Sequence, residues 1–353
     1  MSKDNEKLFS WYNQDGKEND IIISSRIRLV RNLEDYLFPS LMSNTSCKEL
    51  SDKILTALGQ DVIFYKKDEI PYTLLVSLKE QCMIDDRYFY AIALDLSQGM
   101  LFIINQDEHL KIITFASGFS CQEIFSRTYD YENKLAKKLK FVSNEKFGYL
   151  TARLKNSGTG LKLSLRIFVP SICAAGKFAE LASVIEKNNL CAIPCFKNKY
   201  EDYFSNFFFD IYNWNCQSTS EVELLAQIKT LGDYILKTER KICREFADNN
   251  PTRVLHIVKS TLAKLLNSLL LTYEEAINAI AILKWGLETG VLTGISHTEL
   301  NSMIYKLNTI YLVVINENYT FSYDDDIKNE PALLIQRLRA VVFQDCIQNV
   351  RLI

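Results

Sequence analysis

The chain has 353 residues, 48% of them hydrophobic, and a formal net charge of −2 from 41 basic and 43 acidic side chains. That length suggests about two domains, and the near-balance of charge gives no electrostatic case for nucleic acid or an anionic membrane as partner. No apolar run approaches the roughly 20 residues that span a bilayer, and the charged start Met1-Ser2-Lys3-Asp4-Asn5-Glu6-Lys7 leads into no signal-peptide core, so a cytoplasmic protein is expected.

Residues 1–20 are polar and read as a short helix and loop. The apolar run Ile21-Ile22-Ile23 then leads into Ser24-Ser25-Arg26-Ile27-Arg28-Leu29, a strand on which alternate residues share a face. Arg26 and Arg28 point one way, Ile27 and Leu29 into the protein. Two guanidinium forks side by side suit a polyphosphate, since each can bind two oxygens. The plain alternative is a solvated basic face on an edge strand.

Strands at 90–95, 100–105 and 109–115, with the turn Leu96-Ser97-Gln98-Gly99, predict an antiparallel meander. Ser120-Cys121-Gln122-Glu123 reads as a capping box opening a helix with the apolar stripe Ile124, Tyr131, Leu135 and Leu139. Strands are expected at 148–155 and 161–170, joined by the turn Asn156 to Gly160, and a helix at roughly 173–188. From Glu221 the pattern is helical only, with a restart at Pro251, an acidic loop from 316 to 329 and a last helix at about 331–350. The expected fold class is α+β: an antiparallel β-sheet flanked by helices over residues 1–225, then an all-helical domain over 226–353. The nine cysteines include no CxxC pair and the three histidines are scattered, so reduced thiols are expected rather than a metal site.

Four segments in order carry a resemblance. They are Ser24 to Leu33, Asn105-Gln106-Asp107-Glu108-His109-Leu110-Lys111-Ile112, Gly148-Tyr149-Leu150-Thr151 with Asn156-Ser157-Gly158-Thr159-Gly160-Leu161, and Leu283-Lys284-Trp285-Gly286-Leu287-Glu288-Thr289-Gly290-Val291-Leu292-Thr293-Gly294-Ile295-Ser296. The first three resemble the catalytic domain of ATP:guanido phosphotransferases. The fourth resembles the C-terminal part of bacterial protein-arginine kinases. The resemblance implies the guanido-kinase fold, ATP and Mg²⁺ as cofactors, a homodimer made by the helical domain, and as partners a zinc-binding activator and a Clp-type ATPase. It places Ser24, Ser25, Arg26, Ile27, Arg28, Lys111 and Lys162 on the nucleotide and Asp107 as the catalytic carboxylate; Arg166, four residues beyond Lys162 on the same strand face, is expected to add to the nucleotide contacts.

The chain departs from the family at several of these positions. Lys111 and Lys162 stand where the family has arginine, which keeps the charge but loses the fork. Asp107 stands for a glutamate, so its acid is set back by about 1.5 Å. The position of the family cysteine is Arg153, a fixed positive charge in place of a thiolate. The family's mobile loop Arg-Gly-x-Tyr-Gly-Glu becomes Ile193-Pro194-Cys195-Phe196-Lys197-Asn198, with neither arginine nor glutamate, although Glu201 lies close by. The regulatory motif Arg-Asp-x-x-Arg-Ala becomes Asp325-Asp326-Ile327-Lys328-Asn329-Glu330-Pro331-Ala332, without its arginines. Phosphotransfer to arginine side chains is therefore expected to be impaired or lost. The alternatives are a pseudokinase serving as a regulatory or scaffolding partner with some ATP binding, and an interaction protein that binds no nucleotide.

Overall fold

The computed structural model describes residues 11–196, 204–217 and 219–353. Its centre is an eight-stranded sheet, antiparallel throughout, in the order β2-β3-β4-β5-β1-β8-β10-β9. The strands are β1 (Ile22–Arg31), β2 (Ile63–Lys66), β3 (Ala91–Asp95), β4 (Met100–Ile104), β5 (Leu110–Ser117), β8 (Leu161–Phe168), β9 (Leu190–Pro194) and β10 (Phe208–Asn213). The expected meander is β3-β4-β5. β1 lies between β5 and β8, so the edge-strand alternative for the arginine segment is overturned.

Alternation along β1 decides what each face carries. Ile27 and Leu29 are fully buried beside Ala91, Phe102, Ile112, Leu163 and Leu165. Helices α1 (Asn44–Leu58), α3 (Cys121–Ala136), α5 (Phe178–Lys187) and the first half of α6 (Glu221–Asn249) pack on that face through Ile54, Ile124, Ile185 and Ile228. The boundary expected at 225/226 thus falls inside α6, whose Leu224 to Ile235 belong to the core of the sheet. The opposite face is apolar only towards its margins. There Ile92, Leu101 and Ile113 lie under α2 (Tyr72–Glu80), and Phe168 and Phe208 stack at 4.4 Å. A charged strip remains between them.

Three expected elements came out differently. Ser120 makes no side-chain cap: its hydroxyl donates to Ser117 O at 2.9 Å, while its N–H donates to Ser25 Oγ at 3.0 Å. Of the strand expected at 148–155, only β7 (Gly148–Tyr149) forms, paired with β6 (Ser143–Asn144). The helix expected at 173–188 is divided into α4 (Pro170–Ala174) and α5 by Gly176, whose φ of +69° breaks helical geometry.

The helical region contains α7 (Pro251–Asn267), α8 (Tyr273–Glu288), α9 (His297–Lys306), α10 (Thr309–Asn318), α11 (Asp325–Lys328) and α12 (Pro331–Cys346), with a short pair β11 (Leu292–Thr293) and β12 (Arg351–Leu352). Capping boxes do form here, at Ser220/Glu223, Thr272/Glu275 and Ser296/Glu299. α8 is buried from Ala276 to Gly286 except at Asn278. Its Trp285 donates from Nε1 to Ser171 Oγ at 3.2 Å, and Glu239 of α6 accepts the N–H groups of Ser171 and Ile172 at 2.7 and 2.9 Å. These bonds tie the helical region to the strand-rich part. Among the described residues, no helix is long and apolar enough to cross a membrane.

Candidate active site on the cationic face of the sheet

Register brings the expected cations together. Arg28 is opposite Lys162 on β8, Arg26 opposite Ser164, and Ser24 opposite Arg166; on the other side Val30 is opposite Lys111 of β5. Residues opposite one another share a face, so Arg26, Arg28, Lys111, Lys162, Arg166 and Ser24 line one surface. Ser25 and Ile27 are not brought there. Their side chains point to the other face, where Ser25 Oγ donates to Gly118 O at 2.8 Å. Asn198 and Glu201 lie outside the described residues.

The cations fall into two sets. Arg26, Arg28 and Lys162 make no ion pair with any described carboxylate. Arg26 donates to Cys82 O at 3.1 Å over the Phe115 ring, Arg28 NH2 donates to Asn156 Oδ1 at 2.8 Å, and Lys162 Nζ lies 3.4 Å from the centre of the Tyr212 ring. Arg28 Nε is buried without a hydrogen-bond partner. Burial and then the mutual repulsion of the cations lower their proton affinity. Arg26 comes down to about 10 and Lys162 to about 8. The second set is already paired. Arg166 holds Asp210 through two bonds, of 2.8 and 3.0 Å, and reaches Tyr305 OH of α9 at 3.2 Å. Burial would raise the Asp210 carboxyl, but Arg166 with Cys195 outweighs it and holds the group below the usual range. Lys111 lies 3.6 Å from Asp107 and donates to Gln106 Oε1; burial brings it down to about 8.

Asp107, the expected catalytic carboxylate, is surrounded by positive charge. Arg153 Nε is 3.1 Å from its Oδ2, Arg87 NH1 donates to the same oxygen, and Lys111 is the third cation. Arg87 is itself clamped by Asp85, with Nε 2.9 Å from each oxygen. Sequence reading missed Arg87. It comes from the irregular segment between α2 and β3, where no periodicity relates it to a residue twenty positions on.

Glu108 and His109 are structural. Glu108 is fully buried and accepts from Asn32 Nδ2 at 2.8 Å, Ala152 N at 2.9 Å and Asn156 Nδ2 at 3.2 Å. Through Asn156 it sets the position of Arg28. His109 Nδ1 accepts from Leu33 N at 3.0 Å, which leaves Nε2 as the donor to Leu37 O at 2.7 Å. The glycines of the turn serve close packing. A Cβ on Gly158, at φ +105°, would meet Cys216 O at 2.2 Å.

Cations without a carboxylate partner among the described residues, in a row beside a carboxylate, are a charge arrangement suited to a polyphosphate. The model described as "ATP:guanido phosphotransferase, C-terminal catalytic domain" matches residues 36–242, and the chain belongs to this family. A protein-arginine kinase of Halothermothrix orenii is 24% identical over 333 residues, covering 92% of this chain and 95% of its own. One from Bacillus thuringiensis subsp. konkukian is 24% identical over 311 residues, covering 85% and 87%. Among solved structures, lombricine kinase aligns with a TM-score of 0.56 at 19% identity over 64% of this chain and 68% of its own. The duplicated taurocyamine kinase from Schistosoma mansoni, with bound transition-state analogue components, aligns at 0.57 and 19% identity over 68% and 37%. These structural likenesses bear on the fold alone.

Proposed function

We propose that this chain is a protein-arginine-kinase-like member of its family that still binds a nucleoside triphosphate, while transfer of the γ-phosphoryl group to arginine is impaired or lost. One observation carries the reading: cations without a carboxylate partner persist along the strands, while the acceptor carboxylate Asp107 is already engaged by cations of the chain itself. A polyphosphate fits the first part. Arg26, Arg28 and Lys162 would face its oxygens, and the orphaned Arg28 Nε is a donor awaiting an acceptor. Mg²⁺ would ride on the phosphates, because among the described residues no group of three His, Cys, Asp or Glu side chains could hold it. When bound, the nucleotide would supply the transferable phosphoryl group.

The acceptor side is where chemistry fails. A guanidinium must lose a proton as it attacks, so a free carboxylate has to orient it and take that proton. Asp107 is short by one methylene and its Oδ2 already serves Arg87 and Arg153. Within the same reading the protein works in the cytoplasm as a homodimer through residues 226–353, alongside protein partners such as the activator and Clp-type ATPase implied by resemblance.

Two measurements test this. Calorimetric titration with Mg-ATP is expected to show binding that Arg28→Ala weakens; no binding by the parent chain leaves the interaction-protein alternative. Incubation with ATP and an arginine-rich protein is expected to yield no acid-labile phosphoarginine above background. Labelling at a rate comparable to the protein-arginine kinases it resembles would end the impairment reading.

A further inference from the structure

Arg153 differs from the other two cations at Asp107. Arg87 is fixed by Asp85, and Lys111 is buried and bonded to Gln106. The Arg153 side chain is 44% exposed, and its guanidinium has no partner but Asp107 among the described residues. Its backbone is nonetheless well placed. Arg153 O accepts from Thr151 Oγ1 at 2.7 Å and from Asn156 N at 2.8 Å, which anchors it at the start of the 3₁₀ turn Leu154–Asn156. A fixed backbone thus delivers a guanidinium to the carboxylate that, on the reading above, would receive one from outside.

We propose that Arg153 is a specificity-determining residue that occupies the acceptor subsite as an intramolecular guanidinium and so excludes free guanidines and arginine side chains. The inference rests on Asp107 being the acceptor carboxylate. A carboxylate grips a guanidinium best through two parallel N–H···O bonds, which need both oxygens. With Arg153 and Arg87 converging on Oδ2, an incoming guanidinium finds one oxygen spent and positive charge on both sides. Removing Arg153 takes away one of the two guanidinium groups on Oδ2 and its charge at the exposed side, while Arg87, clamped by Asp85, keeps its own bond to that oxygen and leaves Oδ1 to the incoming group.

Methylguanidinium is the direct probe, titrated by NMR or calorimetry into the full chain. Arg153→Ala and, as a guard against a folding defect, Arg153→Gln are each expected to bind it at least about tenfold more tightly than the parent, and Asp107→Asn in either background is expected to abolish the gain. Equal affinity for the parent and both variants overturns the proposal. So does a gain that survives Asp107→Asn, because the probe is then bound elsewhere. Mg-ATP titration of the same samples reads the cradle separately: loss of nucleotide binding would fell the proposed function and leave the methylguanidinium result standing on its own.

Discussion

The cradle and the acceptor corner share one sheet face, yet they are built differently. Arg26, Arg28, Lys162 and Arg166 sit on paired strands, where the ladder sets their spacing and direction. Asp107, Arg87 and Arg153 sit on connections, where each residue's direction depends on local turns and distant partners. A substitution on a strand changes a side chain and leaves its aim intact, as with lysine for arginine at position 162. A substitution on a connection can rewire the site, as Arg153 does by reaching Asp107.

The largest expected effect would break this contrast outright. Phosphoarginine formation should be roughly ten-thousandfold below that of an intact guanido kinase, combining about a hundredfold for the misplaced acid with about a hundredfold for lost proton transfer. Arg153→Cys alone should not restore it, because Ile193, which the structure places on β9, still stands where the family's loop has arginine. Robust rescue by that one change, measured as acid-labile label, would show the corner to be intact. Next in size, Arg28→Ala should weaken nucleotide binding by about 10- to 100-fold, from the usual 1.5–3 kcal/mol of a charged hydrogen bond. An unchanged dissociation constant would mean that the cradle is ornamental.

Glu108 sharpens the comparison from the stability side. Glu108→Gln replaces an acceptor oxygen with a donor facing Asn32, Ala152 or Asn156, at a cost of about 2–3 kcal/mol. The denaturation midpoint should fall accordingly; an unchanged midpoint would mean that water satisfies the site. The smallest effect is with pH. Burial pushes Lys111 and Lys162 down to about 8, below the ordinary lysine range; Arg28 and Arg26 add to the fall at Lys162, whereas Asp107 partly offsets it at Lys111. A polyphosphate favours the protonated forms, so its affinity is expected to hold up to about pH 7.5 and fall several-fold by pH 9, with proton uptake on binding across that window. Affinity that is flat to pH 9 would exclude Lys162 from the contact.

The strands of the sheet, including the one that carries Arg26 and Arg28, could be read from the chain because period-two alternation at Arg26 to Leu29 and the turn at Leu96 to Gly99 are local signals. The helical region was equally open, through the Pro251 restart and the stripe along α6. The acceptor corner was only half visible. Asp107 and Arg153 could be picked out by motif, but their ion pair joins a β-hairpin loop to a 3₁₀ turn and leaves no local pattern. Glu108 looked like one acid among several in its motif, and only its burial beside three donors shows it to be a brace. The strand expected after Gly148 failed for the same reason. Glu108 captures the Ala152 N–H, and Leu150 N–H goes to Val142 O, so these donors are satisfied outside the expected ladder.

Trp11 stacks on Phe115 at 5.5 Å and meets Tyr305 of α9 at 5.2 Å, and it lines a pocket of about 30 Å³ together with Arg26, Arg166 and Asp210. The other two tryptophans lie away from that cavity, Trp214 on an exposed loop and Trp285 deep among the helices. The indole of Trp11 is therefore a native optical gauge of what enters beside Arg26. A chain carrying Phe at positions 214 and 285 would report entry through one emission band, without any label.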